Sequence, residues 1–368
     1  MIRVLHIVGN MNKGGQETFI MNIYRNIDRE KVQFDFIVHG PKGYYEDEIL
    51  ELGGEVYRVT PKTKNLYKYL SDMRSVFKEN KFNVVHIHSG TATVFLDALI
   101  AKNSGVSNII AHSHSTQSSN GAVLHKLCRP LLNRFVNYRF ACSQSALEWL
   151  FGKQHISKQT IIKNSIDVSK YTYNSERRQT IRKNLGLTNE LVIGHIGRFH
   201  PCKNHQLIVR VFKEVYNKNN NSVLILVGTG QLENEIKNQV KDLGIANNVK
   251  FLGLRDDVND LLQAIDVLIF PSIYEGFPVT IVEAQAAGVP CVISKHLTQE
   301  LDITPLLNRV DIDASIEIWT QEIFNQYMVN KPKDTSLDLI NSGFDNKMNS
   351  EYIQNNIHSV QDENHNVN

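Results

Sequence analysis

Cysteine is scarce in this chain of 368 residues, and the four present, Cys128, Cys142, Cys202 and Cys291, stand far apart. No CxxC pair and no Cys/His run has metal-site spacing, which excludes a zinc finger, a ribbon or a disulfide scaffold. The thiols read as free, in a reducing compartment. No apolar run approaches the roughly 18 residues a membrane span needs. The opening segment, MIRVLHIVG, is interrupted too soon to read as a signal peptide. Charge of one sign is not in excess either. The 40 basic residues against 38 acidic ones leave +2, with no overall pull toward nucleic acid. A GxGxxG fingerprint is missing, so a dinucleotide is not signalled. These absences leave the expectation of a cytoplasmic protein that does not bind nucleic acid.

What is present is an ordinary globular composition, 42% hydrophobic and 21% charged, over a length that suggests two domains. Apolar strand patterns at Ile2–Val8, Phe34–Val38, Glu55–Val59, Val84–His88 and Ser107–Ala111 alternate with helical ones at Tyr45–Leu52, Leu66–Asn80 and Thr93–Ser104. That alternation predicts α/β domains with parallel sheets and crossover helices. Val123 to Phe140 mixes leucine and phenylalanine with His125, Lys126, Arg129, Arg134 and Arg139, and Pro130 is expected to interrupt it. It reads as a surface helix on its own sheet, with contact to an anionic membrane as the second reading. Tyr171 to Lys183 is polar, and the domain boundary is placed there.

One stretch organises the rest. Asp266 to Phe270 reads as a buried strand. Pro271 to Phe277 reads as a loop holding Gly276, and Val279 to Ala287 as a helix with Pro278 at its first position, stopped by Gly288 and Pro290. A strand, a glycine loop and a helix in that order aim backbone N–H groups and the positive end of a helix dipole at one point, which suits a phosphate. Glu275 and Glu283 flank that point. Like charges repel, so the two carboxylates suit hydroxyl groups on either side of the phosphate. Upstream, Gly197-Arg198-Phe199-His200-Pro201-Cys202-Lys203-Asn204 follows the strand Leu191–Ile196. Arg198 can hold two oxygens at once and Lys203 adds a point charge, a pair suited to clamping a diphosphate.

Three weaker signals accompany these. Gly14-Gly15, after the first strand, lets a ligand approach the backbone. Gly228 and Gly230 close the strand Val223–Val227. His112 and His114 stand at a strand end, where ligands of open α/β sheets gather. Histidines at i,i+2 without a nearby carboxylate make a poor metal ligand set. Asp256-Asp257 reads as a helix N-cap region, and no metal is assigned there or at Asp311-x-Asp313.

The motif EGFPVTIVE, with seven residues between Glu275 and Glu283, the preceding Phe-Pro-Ser and the following Gly-x-Pro, resembles the signature of retaining glycosyltransferases of family 4, the group 1 glycosyl transferases. The chain is similar to the bacterial members that build capsular polysaccharide and exopolysaccharide, over nearly its whole length to about residue 355. The segment Lys163-Asn164-Ser165-Ile166-Asp167 resembles the family's pre-linker motif, with lysine and serine in place of its proline and glycine.

The resemblance implies the GT-B fold, two facing Rossmann-like domains with parallel sheets and an interdomain cleft. It implies an N-terminal acceptor domain (1–170), a donor domain (171–343), a last helix (about 344–357) crossing back to the first domain, and a polar tail (361–368). It places Arg198 and Lys203 on the donor diphosphate, Glu275 on the donor sugar and Glu283 on the ribose. It puts Gly14, Gly15, Gly197, Gly228, Gly230, Leu254, Arg255, Gly276, Phe277, Pro278 and Val279 around the donor. His114, rather than His112, matches the family's histidine beside the donor sugar and acceptor. The implied reaction moves a sugar from a nucleotide-diphosphate sugar, with uridine favoured, to a saccharide or lipid-linked saccharide. It calls on no cofactor and no metal, and it fits a peripheral place at the inner face of the cell membrane. Two alternatives stay open, a sugar-nucleotide epimerase on the same fold and a non-catalytic GT-B partner subunit.

Overall fold

The computed structural model describes residues 1–115, 122–153, 158–275, 277–329 and 332–365. The chain divides into two compact units. Unit 1 holds residues 1–165 and 346–368, and unit 2 holds 166–345.

Unit 1 is built on seven strands: β1 (Ile2–Ile7), β2 (Val32–His39), β3 (Val56–Val59), β4 (Val84–His88), β5 (Asn108–Ser113), β6 (Tyr138–Ala141) and β7 (Gln159–Ile161). Their order in the sheet is β3-β2-β1-β4-β5-β6-β7, all parallel. Helices cover both faces, so the strands bury side chains on both sides and read as near-continuous apolar runs. Leu5, Ile7, Val85, Ile87 and Ala111 pack on one face. Val4, Phe34, Phe36, Val84 and Ile110 pack on the other. The second core also takes Ile353 and Ile357 from the last helix, Asn346–His365, which continues past the Ile357 end expected from the sequence. Polar bonds seat that helix: Gln354 Oε1 accepts the Asp28 N–H at 2.8 Å, and Asn349 donates to the Lys163 carbonyl at 3.1 Å.

Unit 2 repeats the plan with β8 (Leu191–Ile196), β9 (Ser222–Val227), β10 (Val249–Phe251), β11 (Val267–Phe270), β12 (Cys291–Ser294) and β13 (Leu307–Val310). Its order is β10-β9-β8-β11-β12-β13, again all parallel. In both sheets the order reverses beside the first strand of the unit, between β1 and β4 and between β8 and β11. Such switch points leave a crevice at the C-terminal strand ends, where open α/β sheets bind ligands.

Three sequence expectations change. The unit boundary falls at Ser165/Ile166, before the polar stretch, because Ile166 and Val168 bury in the unit 2 core and the stretch itself is mostly the helix Ser175–Asn184. β5 runs on to Ser113, so His112 lies inside the strand and only His114 lies beyond its end. The helix Ala122–Phe135 passes through Pro130 instead of breaking there. Pro130 and Lys126 are both exposed, so water can serve the Lys126 carbonyl that proline cannot. Among the described residues no helix is long and apolar enough to cross a membrane.

The chain has two tryptophans, and each unit holds one, Trp149 on Gln144–Phe151 and Trp319 on Ile316–Val329. Single-tryptophan variants therefore report the units separately. Ile357→Ala, which empties a fully buried site (0% exposed), is expected to cost unit 1 about 2–5 kcal/mol in urea unfolding read through Trp149. The Trp319 transition should stay in place. An unchanged Trp149 midpoint would show that the last helix does not complete the unit 1 core.

Candidate functional site

In unit 2 the loops after β8, β9 and β10 are knitted together by their backbones. The Gly197 N–H donates to the Val227 carbonyl at 2.9 Å, Phe199 N–H to Thr229 at 3.0 Å, and Gly228 N–H to Gly253 at 2.8 Å. This contact needs glycine at two positions. Gly228 has φ +131°, and a Cβ on it would sit 2.2 Å from the Gly197 carbonyl oxygen; one on Gly230 would sit 2.5 Å from that of Phe199. These glycines, which the resemblance places around the donor, let the loops after β8 and β9 approach each other.

Arg198 is exposed, and among the described residues nothing hydrogen-bonds or ion-pairs with its guanidinium. Pro201–Lys203 forms a short 3-10 turn, and Asn204 then adopts the left-handed conformation (φ 56°) and opens the helix His205–Lys218. Asparagine tolerates that region better than most residues. The turn brings Lys203 Nζ to 2.5 Å from Glu275 Oε1 and 4.5 Å from the centre of the Phe270 ring. A backbone bond from Ile273 N–H to the Cys202 carbonyl, at 2.7 Å, ties the loop after β8 to the loop after β11. The structure thus joins Lys203 and Glu275 at the β8/β11 switch point, with Arg198 exposed on the same loop as Lys203. His195 and His205 are buried. Desolvation holds His205 down to about 4 and His195 well below its ordinary range, so both stay neutral.

The loop after β11 runs into the helix Val279–Ala286, with Pro278 one position before its first turn. Gly276 lies outside the described residues. Phe277 is partly buried and stacks on Phe344, with ring centres 5.9 Å apart, so its ring serves packing. Val279 is partly buried at the start of the helix. Glu283 accepts a hydrogen bond from the Tyr171 hydroxyl at 2.8 Å. Burial raises the Glu283 carboxyl above the usual glutamate range, and the Tyr171 bond partly opposes that. Sequence reasoning missed Tyr171, which stands 112 residues away with no local signal. Leu254 is 79% exposed. Arg255 is bound to Asp257, with Nε 2.7 Å from Oδ1. Asp257 starts the helix Val258–Ala264 without capping it through its side chain.

Unit 1 holds the remaining candidates at the C-terminal edge of its sheet. Gly14 precedes the helix Gly15–Asn26, and its carbonyl accepts the Thr18 N–H at 2.9 Å. The space a side chain would fill at Gly14 is taken by the Glu17 carboxylate, whereas nothing lies within 4 Å of such a position on Gly15. Open space therefore lies beside Gly15, while that beside Gly14 is filled by the tip of a flexible side chain. His114 sits just past β5, its Nε2 2.9 Å from His88 Nδ1, and burial pulls it down to about 3. It ends a row of five imidazoles, His6, His86, His88, His112 and His114, which the sequence order does not reveal.

Two family models match the chain, Glycosyltransferase Family 4 over residues 13–170 and Glycosyl transferases group 1 over 177–303. The chain is 33% identical over 343 residues to EpsF of Bacillus subtilis (strain 168), named as a glycosyltransferase, across 90% of this chain and 89% of that one. It is 26% identical over 309 residues to the UDP-Gal:alpha-D-GlcNAc-diphosphoundecaprenol alpha-1,3-galactosyltransferase of Escherichia coli, across 74% and 80%. In fold it is similar to HepE of Anabaena in complex with UDP, with TM-score 0.80 at 19% identity, across 98% of this chain and 100% of that one.

The raised Glu283 carboxyl carries a stability prediction. In the pH interval just above the ordinary glutamate value the folded chain keeps a proton that the unfolded chain has lost, so unit 2 loses stability as pH rises there. Glu283→Gln removes that loss and can still accept the Tyr171 bond. The variant is expected to melt above wild type at pH 7, with the gap closing as pH falls below the glutamate range. Equal melting at every pH would contradict a strained, buried carboxylate.

Proposed function

The chain belongs to glycosyltransferase family 4 and is a glycan-building glycosyltransferase with the GT-B fold; on that premise we propose that it moves a sugar from a UDP-sugar to a lipid-linked saccharide with retention of anomeric configuration. The observation that carries this reading is the Lys203–Glu275 pair at the β8/β11 switch point, with Arg198 exposed on the same loop as Lys203. As the anomeric bond breaks, positive charge spreads over the sugar ring and negative charge gathers on the departing diphosphate. Arg198 and Lys203 meet that negative charge, helped by backbone N–H groups of the loop and helix start that includes Gly276, Phe277, Pro278 and Val279, proline itself supplying none. Lys203 leaves Glu275 for the phosphate, and Glu275 turns to the sugar hydroxyls. Glu283, held by Tyr171, takes the ribose hydroxyls, and the turns at Gly228–Gly230 and Leu254–Arg255 border the nucleotide.

In this scheme the leaving phosphate oxygen takes the acceptor's proton on the face it vacates. Glu275 is then no nucleophile, and no metal is called on for the diphosphate. On unit 1, Gly15 and His114 face the acceptor, with His114 as a neutral hydrogen-bonding imidazole. Uridine is supported by the UDP-galactose relative and by the UDP complex of HepE. A lipid-linked acceptor is supported by the diphosphoundecaprenol in that relative's name. The helix Ala122–Phe135 adds support, because Val123, Leu124, Leu127 and Leu131 form an exposed aliphatic stripe beside Lys126 and Arg134. We read that stripe as a peripheral contact with the inner face of the cell membrane.

Initial rates with a UDP-sugar and a polyprenyl-diphosphate saccharide test the reading. Arg198→Ala and Lys203→Ala should each lower turnover by about 100-fold or more, the scale of one lost oxyanion donor. Glu283→Ala should mainly raise the KM for the donor. Near-normal turnover in either cation variant would remove the clamp.

A further inference from the structure

Parallel pairing puts five histidines on one face of the unit 1 sheet. His6 stands opposite His86 across β1 and β4, and His88 opposite His112 across β4 and β5. The two-residue period of a strand places His86 with His88 and carries the row on to His114. Ring centres are 4.2 Å apart for His86–His88, 4.1 Å for His112–His114 and 5.1 Å for His88–His114. Two trios, His6–His86–His88 and His88–His112–His114, each bring one ring nitrogen per residue within 4.8 Å of the other two, and among the described residues no other group of His, Cys, Asp or Glu does so. Four nitrogens of the row, His6 Nε2, His86 Nδ1, His112 Nε2 and His114 Nδ1, are buried with no hydrogen-bond partner. Buried polar atoms without partners are rare and costly.

We propose that His88, His112 and His114 form a binding site for a divalent transition cation of the zinc class. Three neutral imidazoles suit such an ion, and three protein ligands with a fourth position left to water is a familiar zinc arrangement. The outer trio is chosen because His114 is partly exposed beyond β5, which gives the ion an entry and a place for that water. The inner trio is buried throughout. His88 binds through Nδ1 and His114 through Nε2, the nitrogens already 2.9 Å apart, and His112 through its unpartnered Nε2. The other two histidines then orient the ligands. His88 donates its Nε2–H to His6 Nδ1 at 2.9 Å, and His112 its Nδ1–H to His86 Nε2 at 3.2 Å. Outer imidazoles that fix the ligand tautomer in this way are typical support for a metal. The site belongs wholly to unit 1, and the sequence alone offered only the two histidines of one strand.

The test uses the full-length chain without an affinity tag, stripped with chelator, given Zn²⁺ and desalted. Elemental analysis should find about one zinc per chain in wild type and none in His112→Gln or His114→Gln. Co²⁺ in place of Zn²⁺ should give the intense visible bands of four-coordinate cobalt, absent from both variants. His6→Gln should keep the stoichiometry but lower affinity by about 10–100-fold, the usual cost of losing an outer partner. If His112→Gln does not fold, His114→Gln, beyond the strand end, gives the answer. A zinc-free wild type, or equal zinc in wild type and His114→Gln, would overturn the proposal.

Discussion

Lys203 and Glu275 lie 2.5 Å apart at the point where the strand order of unit 2 reverses, each with 15% of its side chain exposed. Taking both charges partly out of water costs free energy that their attraction only partly offsets. Such a pair is poorly explained as a device for stability. It is better explained as a charged site held ready, with Lys203 braced over the Phe270 ring. An anionic ligand with neighbouring hydroxyl groups can satisfy both members at once. The cation goes to the anion and the carboxylate to the hydroxyls, and neither is left alone in a low-dielectric pocket.

The surroundings serve that pair. Backbone bonds, rather than side chains, join the β8, β9 and β10 loops, and Gly228 and Gly230 allow the approach. Asn204 turns the chain sharply so that Lys203 ends one loop and a helix begins at once. Tyr171 reaches Glu283 from the segment that opens unit 2, fixing a buried carboxylate that would otherwise sit unpaired. These features sacrifice some stability for position, as sites that bind charged substrates commonly do.

Much of this was legible in the sequence, for particular reasons. Short apolar runs alternating with helical patterns predicted parallel α/β units, because buried parallel strands leave that trace. Within EGFPVTIVE and GRFHPCKN the chemistry is local, so the loops and charged groups could be picked out, although their meeting at 2.5 Å depends on β8 and β11 being neighbours. Contacts between distant strands were not legible. Tyr171 with Glu283 and the histidine row exist only because of strand order and register. The helix through Pro130 escaped because the local rule counts a lost hydrogen bond without knowing that the face is wet. Polarity alone puts the boundary too late, because Ile166 and Val168 already belong to the second core.

The most direct measurement is a thermal-shift comparison of wild type and Lys203→Ala with UDP and other nucleoside diphosphates. At about 100 times its dissociation constant, a ligand of the folded state stabilises it by about 2.7 kcal/mol. UDP should raise the melting temperature of wild type by a corresponding margin and leave that of Lys203→Ala unmoved. No shift with any nucleotide, or the same shift in both proteins, would contradict a diphosphate site built on Lys203.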